Sequence, residues 1–119
     1  MQIHQREVGP AVCLDLTGRI VLGDGAELLK DRVNRLLARG CEHVLLNLRE
    51  VTVMDTSGLA TMVSLKIAVQ RRGSGDIKLL HLPARIHDLL VVTRLITLFD
   101  VFESEEEAVA SFAKDQMIG

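Results

Sequence analysis

The sequence predicts an α/β fold: a mixed sheet of four or five strands, opened by a hairpin and accompanied by about four helices. Three observations predict it. Apolar runs of strand length alternate with segments of helical period along the chain. A Gly9-Pro10 turn separates the first two runs, as in a hairpin. The run Val44-Leu45-Leu46-Asn47-Leu48 has almost no polar alternation, as expected of a strand covered on both faces in a partly parallel sheet.

The elements follow in order. Ile3 to Val8 is a weaker strand that pairs with Ala11 to Leu16, where Val12, Leu14 and Leu16 alternate with Cys13 and Asp15 and Thr17-Gly18 closes the run. Asp24, between Gly23 and Gly25, is placed to cap a helix carrying Ala26, Leu29, Val33, Leu36 and Leu37 at helical spacing, with Gly40 at its end. After the Val44–Leu48 strand, a second helix is expected from about Ser57 to Arg72, stopped by Gly73-Ser74-Gly75. Ile77 to Leu82 forms the next strand, and Pro83 suits the first turn of a helix through Ala84, Ile86, Leu89 and Leu90. Val101-Phe102 makes a short last strand, and Ser104-Glu105-Glu106-Glu107 is a capping box ahead of a closing helix with Ala108, Val109 and Phe112. Successive parallel strands then require right-handed crossovers.

At 119 residues the chain is long enough for one core and is read as a single domain over residues 1–119. With 48% hydrophobic residues, 25% charged residues and a formal charge of −2, the composition is that of a soluble globular protein. Three phenylalanines, no Trp or Tyr and scattered Lys and Arg argue against nucleic-acid binding. No apolar run reaches membrane-spanning length and no secretory leader is visible, so a cytoplasmic protein without membrane insertion is expected. Cys13 and Cys41 lack CxxC spacing and are expected as two buried thiols; no metal site or cofactor is signalled.

The candidate functional stretch is Met54-Asp55-Thr56-Ser57-Gly58-Leu59, a strand-to-helix junction with two adjacent hydroxyls. A hydroxyl there can cap the helix, and the unpaired N–H groups of a helix start also favour a phosphate. Along the helix, Thr61, Ser64 and Ala68 follow Ser57 as a stripe of small residues; spacing alone reads it first as an ordinary solvated face beside a capping serine and second as a surface suited to a partner's close approach. Lys66 and Gln70 project opposite that stripe, which suggests a helix end protruding past the sheet. A catalytic serine is disfavoured: no histidine is near Ser57 in sequence, the G-x-S-x-G elbow is absent, and His81 at a strand end is a structural side chain. Gly23-Asp24-Gly25 and Gly73-Ser74-Gly75 match neither the P-loop nor the dinucleotide fingerprint. Asp15 is isolated in mid-strand, so a receiver-type site at Asp55 lacks its acidic pair, and no enzyme is expected. His4, His43 and His87 are expected to face solvent, and Met54 and Met62 to fill the core.

Asp55-Thr56-Ser57-Gly58-Leu59, with Leu16-Thr17-Gly18, Leu46-Asn47-Leu48, Leu89-Leu90, Leu95 and Phe99-Asp100-Val101-Phe102 around it, resembles the anti-sigma factor antagonists, bacterial members of the STAS domain family. The resemblance covers nearly the whole chain and implies a STAS-like fold. It also implies a non-enzymatic module that docks on an anti-sigma factor serine kinase and so frees a sigma factor for transcription. The kinase would phosphorylate Ser57 and a phosphatase would reverse it; oligomeric state stays open. On this reading Asp55, Thr56, Ser57, Gly58, Thr61 and Ser64 meet the partner, Asp55 and Thr56 shape the turn, and Gly58 lets the partner approach. Thr56 stands where many relatives have serine and keeps a hydroxyl that can cap or compete as acceptor; Arg19-Ile20-Val21-Leu22 replaces an acidic residue that relatives often carry soon after Leu-Thr-Gly. The alternative within the same fold is a non-switching STAS adaptor subunit of a lipid-transport or signalling complex.

Overall fold

The computed structural model describes residues 1–73 and 75–118, so Ser74 of the expected Gly73-Ser74-Gly75 stop lies outside the described residues. Strands β1 (Gln2–Val8), β2 (Ala11–Ile20), β3 (His43–Met54), β4 (Asp76–Leu80) and β5 (Val101–Phe102) form a five-stranded sheet in the order β1-β2-β3-β4-β5. β1 and β2 are the antiparallel hairpin, and every other neighbouring pair is parallel. Helices α1 (Gly25–Ala38), α2 (Thr56–Gln70) and α3 (Ala84–Val92) make the crossovers, α3 followed by a single 3₁₀ turn at Ile96–Leu98, and α4 (Glu105–Ile118) follows β5.

Strands added in chain order, with crossovers of one hand, must place all three crossover helices on one face of the sheet. They do so. Leu29, Val33 and Leu36 of α1, Met62, Leu65 and Val69 of α2, and Ile86 and Leu90 of α3 share one core with Leu14, Leu16, Leu46 and Leu79. On the opposite face Ala11, Cys13, Leu45 and Leu80 pack with Ala108 and Phe112 of α4. β3 is thus covered on both sides, which accounts for its unbroken apolar run.

Two strands outrun their sequence signals. β2 continues past Thr17-Gly18 to Ile20, and β3 continues to Met54. Their register shifts between Asp15 and Thr17 and again between Gly18 and Arg19, and Gly18 carries a φ of 113°. A glycine at a bulge reads in sequence like a strand end, yet here it bends the strand and lets pairing resume.

Several side chains depart from expectation. Lys66 does not protrude; it is 5% exposed, paired with Asp76, 3.3 Å from the Ile77 carbonyl and 5.7 Å from the centroid of the Phe99 ring. Its aliphatic stem completes the buried side of α2, while its amino group ties that helix to the start of β4. His43 is 7% exposed, with its ring centroid 5.3 Å from that of Phe112, rather than facing solvent. Cys13 is buried as expected, but Cys41 is only half-buried.

Asp15 is not isolated. It accepts from Arg6 at 2.7 and 3.0 Å and from Asn47 at 2.8 Å, while Arg6 also reaches Glu105 at 2.6 Å. The Arg6 guanidinium holds the Asp15 carboxyl below its ordinary range, and burial, with Asp15 nearby, pushes the Cys13 thiol up to about 12. This network joins the hairpin to the start of α4. Further along, Lys78 of β4 meets Asp115 at 2.7 Å and Ser111 at 2.8 Å, fixing α4 a second time.

Removing one member of the Lys66–Asp76 pair leaves its partner uncompensated, so Lys66→Met is expected to lower stability by about 3 kcal/mol. Urea unfolding followed by circular dichroism checks this; a midpoint unchanged from wild type contradicts it.

Candidate functional site at the β3–α2 junction

β2 and β3 end side by side, with Ile20 opposite Met54, and the Asp55 N–H reaches the Ile20 carbonyl at 3.4 Å. Asp55 then leaves the sheet in an extended conformation and becomes the N-cap of α2. Its Oδ1 accepts the Gly58 N–H at 2.8 Å, and its Oδ2 accepts the Leu22 N–H at 3.0 Å from the loop between β2 and α1. Both bonds favour the charged form. The Gly58 N–H first, then that of Leu22, hold the Asp55 carboxyl below its ordinary value.

The cap is therefore a carboxylate. The hydroxyls considered from sequence as caps occupy the first two helical positions, Thr56 exposed and Ser57 half-exposed. Ser64 is exposed, while Ser57, Thr61 and Ala68 are partly buried and Ala68 packs against the core, so the stripe headed by Ser57 runs along the flank of α2, between its exposed side and the buried Leu59, Met62, Leu65 and Val69. Asp55, Thr56, Ser57, Thr61 and Ser64 thus come together on the cap and first turns of one helix.

Gly58 belongs elsewhere. It is buried, and a Cβ there would lie 2.0 Å from the Ile20 carbonyl oxygen. The glycine serves the chain's own packing against β2 rather than a partner's approach. Asp24 is a second correction: it sits at the N-cap of α1 without a side-chain cap bond, and its carboxylate takes the α-amino group of Met1 at 2.6 Å. Glu27 reaches back instead, both of its carboxylate oxygens 3.1 Å from the Gly23 nitrogen.

Two neighbours escaped the sequence reading. Leu22, tied to Asp55 through its N–H, is 70% exposed; an apolar residue directly before Gly23-Asp24-Gly25 was its only sequence signal. On the other side Val53 and Met54 line a depression of about 340 Å³ with Ile86, Leu89 and Val92 of α3. Nothing local in sequence joins those two segments.

His81 does not serve Ser57. β4 ends with Leu80 opposite Asn47, whereas β3 runs on to Met54 before Asp55. The His81 ring meets Arg49, 3.1 and 3.3 Å from its two nitrogens, and lies 3.8 Å from Glu103. Among the described residues, no helix is long and apolar enough to cross a membrane.

With this geometry in place, residues 2–108 match the family model of the STAS domain. The chain belongs to the STAS domain family. An anti-sigma F factor antagonist from Paenibacillus polymyxa is 27% identical over 71 residues, a match that spans 60% of this chain and 60% of that relative. A Thermotoga maritima structure assigned to the anti-sigma factor antagonists superposes with a TM-score of 0.85 at 20% identity, over 93% of this chain and 94% of that one. The phosphorylated form of SpoIIAA, a Bacillus cell fate determinant, superposes with a TM-score of 0.70 at 17% identity, over 92% and 98% of the two chains. At these identities the two structures establish a shared STAS fold.

Two outcomes follow from the junction. Gly58→Ala is expected to destabilise this STAS domain by about 3 kcal/mol, since the new methyl meets backbone that cannot swing aside; thermal unfolding tests it, and a melting temperature within a degree or so of wild type refutes it. Because the folded-state pKa of Asp55 is lowered, its stabilising bonds are complete above the unfolded value of about 3.9 and disappear as pH falls through the folded value. In an amide NMR titration, Leu22 and Gly58 should share one midpoint below that of an ordinary aspartate, and separate midpoints would contradict the shared carboxylate.

Proposed function

We propose that this STAS domain is an anti-sigma factor antagonist of the bacterial cytoplasm. It docks through the start of α2 on an anti-sigma factor that is also a serine kinase, and thereby frees a sigma factor. Phosphorylation of Ser57 switches it off, and a phosphatase restores it. The observation that carries the reading is the division of roles at the junction: Asp55 caps the helix and holds the Gly58 N–H, while Ser57, partly exposed, heads the small-residue stripe along the flank of α2. The similarity to anti-sigma factor antagonists supports the choice of partner.

The electrostatics explain why a phosphate here acts as an off-switch. It adds roughly −1.5 to −2 charges at the entrance of α2. An unoccupied helix start would partly neutralise that charge, but Asp55 already takes the Gly58 N–H. The phosphate therefore stays on the surface as a largely uncompensated anion. A partner that covers it has to strip its water, which costs several kcal/mol, on the order of the penalty for burying an unpaired ion.

Incubation with the cognate kinase and ATP, followed by mapping of the modified residue, should place the phosphate on Ser57; modification at Thr56 alone would overturn the assignment. Titration of the kinase should show Ser57→Ala binding like the unmodified protein and Ser57→Asp binding at least about tenfold more weakly, a difference of about 1.4 kcal/mol. Equal affinities for the two variants would remove the charge mechanism.

A further inference from the structure

The carboxylate of Asp55 holds two segments at once: Oδ1 binds the Gly58 N–H inside α2, and Oδ2 binds the Leu22 N–H of the loop between β2 and α1. The rest of that loop is held by its own backbone bonds and, through Asp24, by the Met1 amino group. The Asp24 and Ala26 N–H groups reach the Val21 carbonyl at 3.1 and 3.2 Å, and Gly23 is served by Glu27. Leu22 has little packing to hold it, being 70% exposed, so its amide bond to Asp55 is what seats it beside the switch.

We propose that Asp55 is a positioning residue that couples the state of Ser57 to this loop, so that a phosphate on Ser57 releases Leu22 from its seat. This rests on Ser57 being the modified residue. The phosphate and the Asp55 carboxylate are like charges around one helix start, where Asp55 already holds the Gly58 N–H. The bond to Gly58 gains from the helix dipole. The bond to Leu22, made to an exposed loop, does not, so it is the first to be lost. The other carboxylates of this loop are already engaged, Asp24 by the Met1 amino group and, at 3.8 Å, Arg19, and Glu27 at Gly23. The mark is then read at two places on the surface, the phosphate itself and an apolar side chain that loses its fixed position.

Amide NMR and hydrogen exchange on the full chain, with phosphoserine installed at position 57 during synthesis, test this without any kinase. The Leu22 amide is expected to shift and to exchange at least about tenfold faster, while Gly58 keeps its protection. Asp55→Asn retains an oxygen for the cap but lacks the second carboxylate oxygen and the charge. In that variant Leu22 is already released, and phosphoserine should change it no further. A Leu22 amide unchanged by phosphoserine overturns the coupling, as does an equal response in Asp55→Asn. Failure of every kinase to mark Ser57 would instead strike the proposed function and leave this result standing.

Discussion

Two helices of this protein begin against the last turn of one strand. A Cβ at Gly58 would lie 2.0 Å from the Ile20 carbonyl oxygen, and one at Gly25 would lie 2.1 Å from that of Arg19. The starts of α1 and α2 thus fit directly against the backbone at the end of β2, with no side chain between. The order of elements then has one solution at this end of the sheet. β3 must run far enough for the chain to turn over Ile20, and the loop carrying Leu22 must pass beside the start of α2. The candidate surface is a by-product of that close approach. A side chain at either glycine would separate the helix from the strand and, with it, the cap from the loop.

The rest of the molecule holds this arrangement from both faces. On the side of the crossover helices, Lys66 fastens the later half of α2 to Asp76. On the other side, the cover is a single helix secured by charge, through Arg6 with Asp15 and Glu105 and through Lys78 with Asp115. The Lys66 and Lys78 amino groups are buried while their carboxylate partners are partly exposed, so losing an acid there is expensive, whereas the Arg6 pairs are partly exposed and contribute less.

The alternation of strands and helices was legible in the sequence because burial writes a period into it. The hairpin, the two-sided β3 and the capping box of α4, whose Ser104 hydroxyl lies 3.3 Å from the Glu107 nitrogen, each left a local mark. What escaped notice had no local mark. Lys66 resembles a solvated residue until Asp76 is brought beside it, and Asp15 looked isolated because Arg6 and Asn47 reach it only through the fold. The small-residue stripe headed by Ser57 was readable from helical spacing alone, and it lies on the flank of α2 with Ser64 exposed and Ala68 against the core. The role of Gly58 was not: a glycine beside a serine suggests access from outside, and only the position of Ile20 shows that the contact is internal.

Helix α2 is clamped at both ends, to β2 through Asp55 and Gly58 and to β4 through Lys66. Such a helix has little freedom left to lose when another molecule settles on it. Little of the attraction between the two is then spent on ordering α2, so a modest contact area can suffice for a firm complex. The same stiffness denies α2 any way to swing a new charge aside. On the proposed reading, discrimination on this helix is a matter of potential more than of shape. Where such charges lie at the rim of a contact, sensitivity to salt and a change in the speed of encounter are its kinetic marks.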